Sequence, residues 1–117
     1  MKIDRDVQEF LEKFGLNYEG PRRLLPPPLG SSRTAHMEEE LREYIEAASK
    51  EEKLDALVDL VYLAIGTALL HGFDFNGAWK EVNKANMQKV RGHNSDQRKL
   101  GIVKPGGWTP PDLTPFV

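Results

Sequence analysis

At 117 residues, 29% charged and 39% hydrophobic, the chain has the size of one compact domain and the composition of a globular protein, neither disordered nor fibrous. The absence of cysteine removes a disulfide scaffold, a thiol nucleophile and every cysteine-based zinc or iron–sulfur site. A net charge of −2 hides an asymmetry: residues 38–59 carry nine carboxylates against three bases, whereas residues 80–104 carry seven bases against two acids. Bases this sparse in an otherwise acidic chain argue against broad nucleic-acid binding.

The N-terminal MKIDRDVQEF is charged and has no signal-peptide core. The longest uncharged apolar stretch, Leu60 to Leu70, falls short of the ~20 residues that span a bilayer. A soluble domain without a membrane partner is expected, in the cytoplasm (the host's, if the chain is viral). In chain order, Ile3, Val7, Phe10, Leu11 and Phe14 form one helical stripe, with Asp4 and Asp6 in its first turn and Gly15 at its stop. Gly20-Pro21, Pro26-Pro27-Pro28 and Gly30-Ser31-Ser32 then make an extended connector. A second helix is predicted from Ser32 or Thr34 to about Ser49, with Leu41, Tyr44, Ile45 and Ala48 as its apolar stripe.

A third helix is predicted from Lys50 to His71, stopped by Gly72. From Leu54 to Leu70 only Asp55, Asp59 and Thr67 are clearly polar, so this helix should be central and packed on several sides. A fourth should start at an Asn76 cap and end near Val90, and the tail GIVKPGGWTPPDLTPFV should be irregular. No alternating strand pattern and no repeat is present. The expected fold is all-α: a four-helix-bundle-like core forming a single domain over residues 1–117.

Carboxylates recur at helical spacing. Glu40 and Glu43 are three apart, Glu39 and Glu43 four apart, and Glu52, Asp55 and Asp59 fall within roughly 60° of one another on the next helix. That second face continues through Tyr62, Leu63 and Gly66, which should be buried, so the acids line the mouth of an apolar seam. Like charges placed so must be neutralised by protons, bases or cations. Hard oxygen donors without cysteine or clustered histidine select Mg²⁺, with Mn²⁺ as the substitute. On the fourth helix Trp79, Val82, Asn83, Asn86 and Val90 share a face, which would turn two carboxamides inward. His36, His71 and His93 are scattered and read as surface or helix-end residues. GxGxxG, Walker A and GxSxG patterns are absent.

Glu39-Glu40-Leu41-Arg42-Glu43 followed by Glu52-Lys53-Leu54-Asp55 resembles the EExxE…ExxD motif of the all-α nucleoside triphosphate pyrophosphohydrolases of the MazG type. Arg5 to Leu16, Asp55 to Leu69, Glu81 to Val90 and Lys104 to Leu113 look like the corresponding blocks of short phage-type and bacterial members, in the same order. The resemblance implies a hydrolase that cleaves nucleoside triphosphates between the α and β phosphates to a monophosphate and pyrophosphate. It implies that Glu40, Glu43, Glu52 and Asp55 hold Mg²⁺ or Mn²⁺, and that Glu39 orients the attacking water or supports the ligands. It further implies substrate contacts from Asp59, Asn83, Asn86, Lys89 and Lys104, with Arg33 reaching a phosphate. A homodimer or homotetramer is implied as well, with a role in a deoxynucleotide pool. One departure is that only eight residues separate Glu43 from Glu52, shorter than in many members. Two alternatives stand beside this: a phosphoribosyl-nucleotide pyrophosphohydrolase of the same fold, and a non-catalytic helical oligomer whose acidic seam binds a metal or a basic partner.

Overall fold

The computed structural model describes residues 2–92 and 99–117; His93 and Arg98 of the basic segment lie outside them. The elements run α1 (Lys2–Lys13), α2 (Leu29–Glu46), α3 (Lys50–His71), α4 (Phe75–Met87), β1 (Val90–Arg91), β2 (Ile102–Val103) and a closing 3₁₀ turn, Thr114–Phe116. The fold is all-α apart from the β1–β2 pair, an antiparallel ladder with Val90 opposite Val103 and Arg91 opposite Ile102. Two residues per strand are too few to show a period-two pattern, so sequence alternation could not have revealed it. The chain divides into two compact units, residues 1–75 with Val117, and residues 76–116.

In the first unit α1 presents Val7 and Leu11 as its buried residues. Phe10 meets the ring of Tyr62 edge-on at 5.4 Å and Phe14 at 5.1 Å. Gly15 ends the helix at a φ of +68°, a conformation that a side chain would penalise. The connector is pinned to the far end of α3. Arg23 donates from Nε and Nη2 to the Leu70 carbonyl, its backbone N–H donates to the His71 carbonyl, and its guanidinium lies 3.7 Å over the Tyr18 ring. Carbonyls that the last helical turn leaves unpaired are thereby satisfied.

α2 starts at Leu29, a turn earlier than the Ser32 or Thr34 start predicted from capping preference. The reason is local: no proline follows Pro28, and the Thr34 hydroxyl donates back to the Gly30 carbonyl instead of capping. The helix is also rolled away from its predicted apolar stripe. Leu41 and Ile45 are exposed, and the buried residue of α2 is the carboxylic acid Glu40, 8% exposed. α3 matches its predicted span. Ser49 caps it by accepting from the Glu52 N–H at 3.1 Å, and its hydroxyl donates to the Glu52 carboxylate at 2.9 Å. Gly72 closes it in the left-handed region at φ +82°.

Enclosure of α3 on several sides is not what one chain provides. Ala56, Leu63, Ile65, Gly66 and Leu70 are buried, but Leu54, Leu57, Val58 and Val61 remain 44–63% exposed. Among the described residues α3 is the one helix long and apolar enough to cross a membrane by length and composition, and it carries Asp55 and Asp59 within its first half.

In the second unit α4 runs from Phe75 to Met87, so Asn76 sits inside the first turn and not at the cap, and the helix stops short of Val90. Its buried residue is Ala85, whose carbonyl accepts from Trp108 Nε1 at 2.7 Å. Asn83 and Asn86, predicted to face inward, are exposed along with Trp79, because the inward position falls on the small Ala85.

The Ser49 cap yields a stability expectation. Ser49→Ala should lower the free energy of unfolding by about 1 kcal/mol in urea titration, with helix content unchanged below the transition. An unchanged midpoint would show that α3 is held by packing alone.

Candidate active site

The short 47–49 turn folds α3 back along α2, so that Arg33 meets Leu63 and Thr67 while Tyr44 meets Lys53. Side chains at Arg33, His36 and Glu40 follow helical spacing down one face of α2, and Asp59, Tyr62, Leu63 and Gly66 do so on α3. Together with α1 they enclose a cavity of about 290 Å³. Its walls are Val7, Phe10, Leu11, Tyr62 and Leu63, and its polar members are Arg33, His36, Glu40 and Asp59. A second hollow of about 280 Å³ lies at the turn end of the same two helices, lined by Glu43, Glu46, Glu52 and Asp55.

The acids predicted as one face of α3 are thus divided. Asp59 shares the apolar-walled cavity with Glu40, whereas Asp55 and Glu52 share the outer, acid-lined hollow with Glu43. Glu52 is also engaged as the capping partner of Ser49. Glu52 therefore has a structural task in the helix start that spacing alone did not reveal.

Glu40 is the electrostatic centre. Its carboxyl is pushed up to about 7, first by the Glu43 carboxyl close enough to share a proton with it, then by burial, and then by repulsion from Glu43, Asp59 and Glu39. His36 Nε2 lies 3.7 Å from Glu40 Oε1, one helical turn away. Glu40 Oε2 is buried and has no partner with hydrogen-bond geometry among the described residues. A buried carboxylate oxygen facing other carboxylates has little reason to persist unless protons or a cation join them. All the donors are hard oxygens, which suits a divalent ion such as Mg²⁺. Among the described residues no three acidic or histidine side chains already stand at metal-ligand spacing. An ion would therefore have to draw the carboxylates inward from their mutually repelled positions.

Arg33 is anchored on α3. It donates from Nε to Thr67 Oγ1 at 3.1 Å and from Nη2 to the Leu63 carbonyl at 3.0 Å, and burial lowers its pKa from the usual value. In the second unit Lys89 and Lys104, predicted to meet substrate, place their ammonium groups 5.4 and 4.9 Å over the Trp108 ring. Asn83 and Asn86 are exposed on α4. Sequence reasoning passed over His36 and the aromatic wall of Phe10 and Tyr62. The spacing of four between His36 and Glu40 was the available signal for the first, but the aromatic wall needs α1 and α3 side by side.

A pH signature follows. Because the folded chain binds the Glu40 proton more tightly than the unfolded chain does (4.5 rising to about 7), this group's contribution is full below pH 4.5 and is lost as pH rises through about 7. In metal-free buffer Glu40→Gln should therefore gain stability over the parent as pH increases across that window, measured by thermal melts at matched ionic strength. Parallel curves would show that Glu40 titrates normally.

The matching family model is that of phosphoribosyl-ATP pyrophosphohydrolase, over residues 7–86. The match takes in the cavity, the acidic hollow and α4 as far as Asn86, and leaves Lys89, Lys104 and Trp108 outside. No curated protein matches the chain. With the buried acid of α2 set against α3 and most of the chain covered by that model, the protein belongs to the phosphoribosyl-ATP pyrophosphohydrolase family, within the MazG-like all-α nucleotide pyrophosphohydrolases.

Proposed function

We propose that this hydrolase is a divalent-metal-dependent nucleoside triphosphate pyrophosphohydrolase, releasing pyrophosphate by cleavage between the α and β phosphates. The observation that supports it most is the buried Glu40 facing Asp59 and Glu43 with an oxygen unpartnered. Glu40, Glu43 and Asp59 would hold the cation, with Asp55 at the edge, so Asp59 moves from the substrate contacts to the metal set and Glu52 from the metal set to the helix cap. When bound, the cation neutralises charge gathering on the departing pyrophosphate. Glu39, one residue from Glu40, accepts a proton from the attacking water and orients it. Water adds to the phosphorus, the bridging oxygen leaves with the pyrophosphate, and no covalent nucleophile is needed.

Phosphoribosyl-ATP is the second substrate to consider, because the family model carries that name. A panel containing ribo- and deoxyribonucleoside triphosphates and phosphoribosyl-ATP, with Mg²⁺ or Mn²⁺, separates the two by pyrophosphate release. In the preferred substrate, Asp59→Asn and Glu43→Gln should each lose roughly 100-fold or more in kcat/KM with the helical fold intact, while Glu52→Gln stays near the parent. Near-normal turnover in Asp59→Asn would remove it from the site. A failure of millimolar Mg²⁺ or Mn²⁺ to raise the melting temperature, with and without nucleotide, would count against metal dependence.

We also propose a cytoplasmic homodimer or homotetramer. The exposed Leu54, Leu57, Val58 and Val61 of α3, with Ile3 of α1 beside the same apolar hollow, supply the surface a second copy would cover. Light scattering should give a multiple of 13.2 kDa at micromolar concentration, and Val61→Asp should return it toward the monomer mass.

A further inference from the structure

We propose that Thr67 and Gly66 are positioning residues that fix the Arg33 guanidinium at the far end of the Glu40 cavity, where it holds the nucleoside half of the substrate and not its phosphates. This rests on the pyrophosphohydrolase function proposed above. The tether is built from three short bonds. Thr67 Oγ1 donates to the Leu63 carbonyl at 2.7 Å and accepts from Arg33 Nε at 3.1 Å, while Arg33 Nη2 donates to that same carbonyl at 3.0 Å. Gly66 makes room for it, since a Cβ there would stand 2.9 Å from Arg33 Nη2 and 3.5 Å from Val7 Cγ1. A glycine inside a 22-residue helix lowers helix stability, so the space it leaves for a guanidinium is a reason for its presence.

The tether points two ways at once. Nε and Nη2 are consumed by α3, and Nη1 has no protein partner among the described residues although the group lines the cavity. Arg33 also forms no ion pair with Glu40 or Asp59, the acids of the same cavity. Glu40 lies seven positions after Arg33 on α2, about 10 Å along the axis, so a group held by the carboxylates and a group held by Arg33 are different parts of one substrate. The space between them is walled by Val7, Phe10, Leu11, Tyr62 and Leu63. Those walls would strip water from a polyphosphate without replacing its hydrogen bonds, whereas a heterocycle gains by burial against them. A planar guanidinium with one free nitrogen presents in-plane N–H donors to the oxygen and ring-nitrogen acceptors on the edge of a base. The phosphates then run the other way, over Glu43 and Asp55.

The test compares two inhibitors of the full-length enzyme, a nucleoside monophosphate product and inorganic tripolyphosphate. Arg33→Ala and Thr67→Val should each weaken nucleoside monophosphate binding by about 10-fold and raise KM more than they lower kcat, with tripolyphosphate inhibition unchanged. Thr67→Ser, which keeps the hydroxyl, should restore the parent values, and Gly66→Ala should reproduce the Thr67→Val defect by displacing the guanidinium. Tripolyphosphate inhibition falling in step with the monophosphate would place Arg33 at the phosphates and overturn the proposal. So would a Thr67→Val protein with a lower melting temperature and unaltered KM. Calorimetric binding of the monophosphate needs no turnover. An enzyme that releases no pyrophosphate from any nucleotide, but whose monophosphate binding is lost in Arg33→Ala, would refute the activity and leave the cavity assignment standing.

Discussion

A carboxylic acid is the buried residue of α2, and the arrangement of the first unit is organised around that constraint. Helix–helix contacts are ordinarily sealed by apolar side chains, and α2 has two available in Leu41 and Ile45, yet both face outward while Glu40 lies 8% exposed against α3. With Asp59, Glu43 and Glu39 as its neighbours, the seam concentrates negative charge where water is scarce and retains a proton up to about pH 7. Such an arrangement lowers stability relative to an apolar seam. On the function proposed above, it is the resting state of a site whose charge is balanced when it is loaded.

The remaining contacts of the unit hold α2 and α3 in register against that repulsion. Lys53 donates to the Tyr44 carbonyl at 2.6 Å near the turn, and Arg33 donates to the Leu63 carbonyl and Thr67 at the other end. The repelling carboxylates lie between these two clamps. The Ser49 N-cap sets the first turn of α3, and the connector, through Arg23, sets its last. A helix fixed at both termini can carry like charges in its first half without sliding. A two-residue slip would carry Asp59 to the opposite side of α3 from Glu40.

The faces of α3 divide the labour. Leu63, Ile65, Gly66 and Leu70 are buried, Asp59 and Tyr62 face the cavity, Glu52 and Asp55 line the outer hollow, and Leu54, Leu57, Val58 and Val61 are left to solvent in a single chain. That last face is large for a 117-residue protein and unbroken by charge except at Asp55 and Asp59 on its flank. In the second unit Trp108 does the comparable organising work, bonding the Ala85 carbonyl and receiving Lys89 and Lys104 over its ring. Those lysines are therefore held near one another by an aromatic surface, and their charges are not free on long mobile stems.

Helix content, the span of α3 and its Gly72 stop were legible in the sequence because each depends on neighbours within a few residues: 3.6-residue periodicity and a glycine free to adopt positive φ; Ser49, expected at the end of the second helix, instead caps the third. The candidate acids were legible as well, since Glu39, Glu40, Glu43, Glu52, Asp55 and Asp59 stand at helical spacings. Which acids meet was not. Spacing placed Glu52, Asp55 and Asp59 on one face, but the roll of α2 and the reach of the 47–49 turn put Asp59 in the cavity with Glu40, and Glu52 and Asp55 in the outer hollow with Glu43. The inward carboxamides predicted on α4 failed for the same reason, since hydrophobic pattern gives a helix a stripe but not its rotation against a partner. The Arg33 tether across Gly66 and the aromatic wall join residues 30 or more positions apart, and the cavity draws on three separate helices. Those contacts exist only once three helices are packed, because no local preference records which side chains distant segments will bring together.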